Sequence, residues 1–167
     1  MSYLQHEKMA GQCLNIAVLT LSDTRDKSSD KSGKIIKYLI TNANHELTDY
    51  RIVKEDPDNI KNAFLAAIEN KKVDVLISNG GTGINHRDNT IEVARSLFSK
   101  ELQGFGEIFR FVSYQQIGSA AIMSRATAGV GKNKLIICLP GSSKAVKLAM
   151  EKIVIPQLAH MFWDIKR

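Results

Sequence analysis

The sequence predicts an α/β fold, a mostly parallel central sheet with helices on both faces. Two observations carry this. From residue 15 onward, short apolar runs alternate with segments of helical period, the order expected of parallel strands joined by crossover helices. The third such run, Val73-Asp74-Val75-Leu76-Ile77-Ser78, leads straight into a glycine-rich loop, Asn79-Gly80-Gly81-Thr82-Gly83-Ile84-Asn85-His86-Arg87-Asp88. Parallel sheets bind ligands at that end of their strands. With 167 residues the chain has room for one domain with a sizeable core, and two would be cramped. Residues 13–167 are read as that domain. Residues 1–12, polar and aperiodic, are read as a flexible arm.

The elements follow in order. Asn15-Ile16-Ala17-Val18-Leu19-Thr20-Leu21 reads as the first strand, and 22–31 as a polar loop. Ser32 or Asp30 can cap a helix over about 32–43, which sets Ile35, Ile36, Leu39 and Ile40 on one face. The second strand is read over 50–54. Pro57 suits the first turn of a helix whose stripe is Ile60, Phe64, Leu65 and Ile68. After the third strand, 73–78, and its loop, Asn89 and Glu92 have the spacing of a capping box. They open a helix burying Ile91, Ala94, Leu97 and Phe98. A further helix is expected from Phe105 to about Gln116, a strand over 124–130, a turn at Gly131-Lys132-Asn133 and a strand over 134–139. The last helix, about 143–163, contains Pro156, which should kink or interrupt it.

Composition narrows the function classes. Hydrophobic residues at 44% and charged residues at 24% are ordinary for a folded globular protein. The net charge of +6, from 23 Lys and Arg against 17 Asp and Glu, suits a phosphorylated small ligand as well as nucleic acid. No basic run of five and no RNA-type aromatic motif occurs, so nucleic acid is not the expected partner. Cys13 and Cys138 lack metal-ligand spacing, and Cys138 sits in an apolar strand as a small core residue. His6, His45, His86 and His160 share no motif. No stretch has the ~18 apolar residues of a membrane span and no signal-like segment opens the chain, so a cytoplasmic protein is expected.

The glycine-rich loop is not a Walker A motif, and Asn85 and His86 stand where a Rossmann fingerprint needs its third glycine. Alone it reads either as a tight strand-to-helix turn or as a cradle of backbone N–H groups for an anion. Arg87 can pair with a phosphate or carboxylate, and an Asp beside such a loop commonly recruits Mg²⁺; equally, Arg87-Asp88 is a solvated pair at a helix start. Glu55, Asp56 and Asp58 read as favourable charge at a helix N-terminus or as a second carboxylate facing Asp88 across the sheet rim. Glu107 and Arg110 have the spacing to pair. Ser142 can cap the last helix, with neighbouring N–H groups open to an anion. The polar segments 22–31, 79–88 and 140–143 all lie at carboxyl ends of strands and should converge.

Six blocks then occur in order between about Ile16 and His160: Leu21-Ser22-Asp23-Thr24; Asp30-Lys31-Ser32-Gly33; Gly80-Gly81-Thr82-Gly83 with Arg87-Asp88 and Thr90; Gly104-Phe105-Gly106-Glu107 with Arg110 and Ser113; Ser124-Arg125-Ala126; and Leu139-Pro140-Gly141-Ser142. Together they resemble the MoaB/MogA family of molybdenum cofactor biosynthesis proteins, which includes the G domains of gephyrin-like proteins. Gly118-Ser119-Ala120-Ala121 and the compact length resemble its MoaB branch. The resemblance implies a three-layer α/β/α sandwich, assembly into trimers or hexamers, and binding of molybdopterin. Active members adenylylate the terminal phosphate of molybdopterin with Mg-ATP, releasing pyrophosphate before a downstream protein inserts molybdate.

Carried over by motif, Asp88 would bind Mg²⁺ and ATP phosphates, with Glu55 as the second metal carboxylate and Asp56 beside it as a further catalytic candidate. Ser22, Asp23, Gly80, Gly81, Thr82, Gly83, Arg87, Pro140, Gly141 and Ser142 would line the substrate pocket. Two departures stand out. The family usually has Asp where this chain has Glu55, and many relatives have Pro where it has Ile91. The first departure leaves a non-catalytic molybdopterin-binding or scaffold protein as the alternative.

Overall fold

Residues 12–167 are described by the computed structural model. The arm expected over 1–12 therefore lies, but for Gln12, outside the described residues. Six strands, β1 (Asn15–Leu21), β2 (Glu46–Val53), β3 (Val75–Asn79), β4 (Lys100–Glu101), β5 (Thr127–Gly131) and β6 (Lys134–Leu139), form one sheet in the order β2-β1-β3-β6-β5-β4. β1 runs parallel to β2 and β3, and β3 parallel to β6. β5 is antiparallel to both β6 and β4. The β5–β6 hairpin turns at Lys132 and Asn133, both at positive φ, as a two-residue turn requires.

Alternate strand residues feed two cores, which makes the three layers. Ile16, Val18, Val75, Ile77, Leu135 and Ile137 pack under α1 (Lys31–Asn42), α4 (Gln103–Ile117), α5 (Ser143–Ala149) and α6 (Ile155–Lys166). Ala17, Leu19, Leu76, Ile136 and Cys138 pack under α2 (Pro57–Glu69) and α3 (Thr90–Leu97). Both faces of β1, β3 and β6 are thus dry, which is why these strands read as unbroken apolar runs rather than alternating ones. Cys138 is fully buried and its thiol is pushed up to about 12 by that burial, which leaves it an inert core residue.

The differences from the sequence expectations have local causes. β2 starts at Glu46, four residues early, because it is an edge strand whose half-exposed side chains break the apolar pattern. β3 starts at Val75, since the Asp74 carboxylate turns back to accept hydrogen bonds from the Asn15 backbone N–H at 3.0 Å and side-chain amide at 3.1 Å. β5 starts at Thr127, after a 3-10 helix (Gly118–Met123) that the sequence did not signal. The two-residue β4 was also unforeseen. Pro156 is accommodated by a π-helical turn (Met150–Val154) just ahead of α6, where the widened ladder tolerates a missing donor.

The capping box at Asn89 does not form. Asn89 occupies the N-cap position of α3, but its side-chain amide donates to the His86 carbonyl at 3.1 Å, and Glu92 pairs instead with Arg125. Nor do Glu107 and Arg110 form an ion pair among the described residues.

Of the two capping candidates for α1, Asp30 takes the role. One carboxylate oxygen accepts the Gly33 N–H at 2.9 Å; the other accepts the Thr20 hydroxyl at 2.5 Å and the Tyr50 hydroxyl at 2.6 Å. Thr20 in turn accepts from the Asn79 amide at 2.9 Å. Asp30 is fully buried. Burial alone would push its carboxyl up, but these hydrogen bonds and the nearby Arg25 charge together hold it below the usual value of 3.8. A depressed folded value means that the ionised form favours folding. This contribution is complete above the ordinary value and is lost as pH falls through the folded one. Asp30→Asn should cost about 2 kcal/mol at neutral pH. Its urea midpoint should also fall less than that of the wild-type protein between about pH 5 and pH 3, as followed by circular dichroism.

Candidate functional site

Three loops leave the carboxyl ends of β1, β3 and β6 and meet at two glycines. Gly80 has φ 100° and Gly81 φ 59°, conformations that side chains other than glycine's resist. A Cβ on Gly80 would also strike the Leu21 carbonyl oxygen, and one on Gly81 the Thr90 hydroxyl. The Gly80 N–H donates to the Leu139 carbonyl at 3.1 Å. Thr90 locks the turn from the helix side: its hydroxyl donates to the Gly80 carbonyl at 2.9 Å and its N–H to the Gly81 carbonyl at 3.0 Å. Gly141, from the β6 loop, lies against Gly80 so closely that a Cβ there would sit 3.3 Å from the Gly80 Cα.

The β1 loop is tied to this junction through Arg25 and Ser32. Arg25 donates to the Gly141 carbonyl at 3.1 Å and lies 3.7 Å from the Asp30 carboxylate, while the Ser32 hydroxyl donates to the same carbonyl at 2.7 Å. Ser22 shapes the loop by accepting the Thr24 and Arg25 N–H groups at 3.3 and 3.2 Å. Ser142 caps α5, accepting the Ala145 N–H at 3.2 Å.

Two recesses open on either side of the junction and share Gly81 and Gly141. The larger, about 440 Å³, is lined by Gly81, Thr82, Gly83, Asp88, Pro140, Gly141 and Ser142, together with Ser113, Gln116, Ile117, Met123, Ser124, Arg125 and Lys144. The smaller, about 350 Å³, is lined by Ser22, Asp23, Arg25, Glu55, Gly80, Gly81, Arg87 and Gly141. Every site residue expected from the sequence borders one of them except Asp56. That side chain caps α2 by accepting the Asp58 and Asn59 N–H groups, each at 3.1 Å, and borders neither recess.

Charge is concentrated in the smaller recess. Asp23 accepts the Glu55 N–H at 3.1 Å and has Arg87 3.8 Å away. Burial raises the Glu55 carboxyl above its ordinary value, and the negative charges of Asp23 and Asp88 raise it further; Arg25 and Arg87 offset part of this. Asp88 accepts the Asn85 N–H at 3.0 Å, and its carboxylate rests against Gly83. Among the described residues no group of three or more His, Cys, Asp or Glu side chains is close enough to hold a metal ion unaided. Asp88 and Glu55, whose charges act on each other, are the carboxylates that could hold a Mg²⁺ brought with phosphate groups, since that hard cation takes one or two carboxylates and fills its remaining positions with phosphate oxygens and water.

The sequence missed Arg25, Arg125 and Lys144 as site residues. Arg125 was visible within a family block but carried no local signal of a role. Arg25 and Lys144 stand in polar stretches that read as solvated surface.

The sequence profile described as "Probable molybdopterin binding domain" matches residues 17–160. The chain belongs to this molybdenum cofactor biosynthesis family. It is 49% identical to Molybdenum cofactor biosynthesis protein B of Bacillus subtilis over 168 residues, covering 100% of this chain and 99% of the relative. The Bacillus cereus protein of the same name is 45% identical over the same span. A crystal structure of a Molybdenum cofactor biosynthesis protein B superposes with a TM-score of 0.91 at 44% identity, over 93% of this chain and 98% of that one. The tungsten cofactor synthesizing protein MoaB from Pyrococcus furiosus follows at 0.85 and 37%, over 93% and 99%. The MoaB/MogA resemblance and the α/β sandwich expected from the motifs both stand. No helix among the described residues is long and apolar enough to cross a membrane.

Glu55 stands between acidic and basic neighbours in a partly buried recess, so its protonation is the property to measure. In a carbon-detected NMR titration, the Glu55 carboxyl should titrate above an isolated Glu. It should move down in Asp23→Asn and Asp88→Asn, which remove negative neighbours, and up in Arg87→Gln.

Proposed function

We propose that this chain binds molybdopterin and Mg-ATP in the two joined recesses and adenylylates the terminal phosphate of molybdopterin. A phosphate oxygen of molybdopterin attacks the α-phosphorus of ATP, and the bond from that phosphorus to the departing pyrophosphate breaks. The observation that carries this reading is the meeting of Asp23, Glu55, Asp88, Arg25 and Arg87 with a glycine-lined junction open on both sides. Two anionic substrates must approach each other here, and the junction supports this with backbone in place of side chains. Arg25 and Arg87 counter phosphate charge, and N–H groups of the glycine loop orient the phosphates. Asp88 and Glu55 are the side chains that would hold Mg²⁺, whose chemistry when bound is to neutralise charge on phosphoryl oxygens. The larger recess, with Ile117, Met123 and Leu148 along one wall and Ser113, Gln116 and Ser124 among its polar groups, suits a flat, polar-edged pterin.

The second reading, a molybdopterin-binding protein without catalysis, is favoured by Glu55. Its side chain is one methylene longer than the Asp that the family resemblance implies there, which displaces the carboxylate relative to Asp88. We further propose a homo-oligomer, trimer or hexamer, located in the cytoplasm and handing its product to a molybdate-insertion protein. The support for self-association is an uncovered apolar face on α4 and the 3-10 helix: Ile108, Phe111, Tyr114, Ile117, Ile122 and Met123 are all more than half exposed.

Purified protein incubated with molybdopterin and Mg-ATP should yield adenylylated pterin and pyrophosphate in equal amounts. Pterin binding without product would leave the non-catalytic reading. Asp88→Asn should lower kcat by about 100-fold or more, and Glu55→Asp should keep or raise it. Sedimentation equilibrium should give three or six chains per particle, and Phe111→Asp should shift that population toward the monomer.

A further inference from the structure

We infer that Arg125 is a positioning residue for Asp88, acting through the peptide that joins Thr82 to Gly83. Its Nε donates to the Thr82 carbonyl at 2.8 Å, while Nη1 and Nη2 grip both oxygens of Glu92 on α3 at 2.8 and 3.0 Å. Glu92 therefore fixes the guanidinium plane, and the plane fixes the direction in which Nε points. The remaining side-chain and backbone hydrogen bonds of residues 82–89 are local to 82–93: Asn85 N–H to Asp88, Asp88 N–H to the Asn85 carbonyl, Arg87 N–H to Asn85, Asn89 amide to the His86 carbonyl, and Val93 N–H to the Asn89 carbonyl. Among the described residues, the Arg125 contact is the one hydrogen bond that ties this stretch to a distant part of the chain; the Arg87–Asp23 ion pair, at 3.8 Å, is looser.

What it holds matters for Asp88. The peptide is trans and planar, so anchoring the Thr82 carbonyl on one side sets the Gly83 N–H on the other. Gly83 is the floor beneath Asp88: a Cβ there would come 2.6 Å from the Asp88 carboxylate. A rotated 82–83 peptide would therefore displace the carboxylate. Stability does not explain the arrangement. Arg125 and Glu92 are 31% and 52% exposed, and ion pairs at such positions contribute little to folding.

The placement of Asp88 is a property of the free protein, whereas its catalytic consequence rests on the adenylylation reading above. Two variants separate the roles. Arg125→Lys keeps the charge but loses the fork. The swap Glu92→Arg with Arg125→Glu restores an ion pair between α3 and the segment leading into β5 but leaves no donor for the Thr82 carbonyl. In ligand-free protein, amide hydrogen exchange at Asn85 and Asp88 should quicken by about tenfold in both, with little change in the urea midpoint. With molybdopterin and Mg-ATP, kcat should fall at least tenfold while KM for molybdopterin changes less than about threefold, as for a group acting on the reacting centre rather than on binding.

Wild-type exchange in Arg125→Lys would overturn the inference, as would activity restored by the swap. A loss confined to molybdopterin affinity with unchanged exchange would make Arg125 a direct contact and also overturn it. Loosened exchange in Arg125→Lys, in a protein whose wild type forms no adenylylated pterin, would sustain the positioning role and remove the adenylylation reading instead.

Discussion

A single buried carboxylate, Asp30, holds together the parts on which the site is built. Its oxygens join the start of α1 to Thr20 on β1 and Tyr50 on β2, and Thr20 passes the connection on to Asn79 on β3. Three neighbouring parallel strands and the helix that covers them are thereby aligned at the end where their loops emerge. An uncompensated charge in this position would be strongly destabilising. Here every polar neighbour points a donor at it, so burial becomes a constraint rather than a liability. Arg25 stands at the edge of this network and carries it outward to the Gly141 carbonyl.

The site itself is made mainly of backbone brought unusually close. Gly80 passes between the ends of β1 and β6, and Gly141 lies against it so that a Cβ there would be a tight contact. Acidic and basic side chains then approach from loops that are far apart in sequence. Asp23 comes from the β1 loop, Glu55 from the end of β2, and Arg87 and Asp88 from the β3 loop. Rigid strands supply the placement and the loops supply the chemistry, a division common in parallel sheets.

Much of this was legible in the residues. Strands β1 and β6 and the loops after β1, β3 and β6 carry strong local signals, because strands buried on both faces are uniformly apolar and their carboxyl ends need glycine, serine or charge. The glycine loop and its Arg87-Asp88 were readable for the same reason. Illegible were features decided by distant partners. The Asp74 side chain turns to Asn15 and Glu92 abandons a capping box for Arg125, whereas the split between Asp56, which caps α2 locally, and Glu55, which faces the recess, was one of two readings left open. Adjacent carboxylates with opposite fates cannot be told apart by spacing. The choice depends on a helix N-terminus that needs an acceptor and on a loop that turns by one residue.

Gly81 and Gly141 border both recesses, so there is no independent wall between them. Whatever fills one side presses on the surface that shapes the other. Any free-energy consequence that filling one recess has for the other is, by thermodynamic linkage, equal in both directions. Ligands held on the two sides would therefore be coupled through the shared glycines, whose freedom to move is limited by the Arg25 and Ser32 hydrogen bonds to the Gly141 carbonyl.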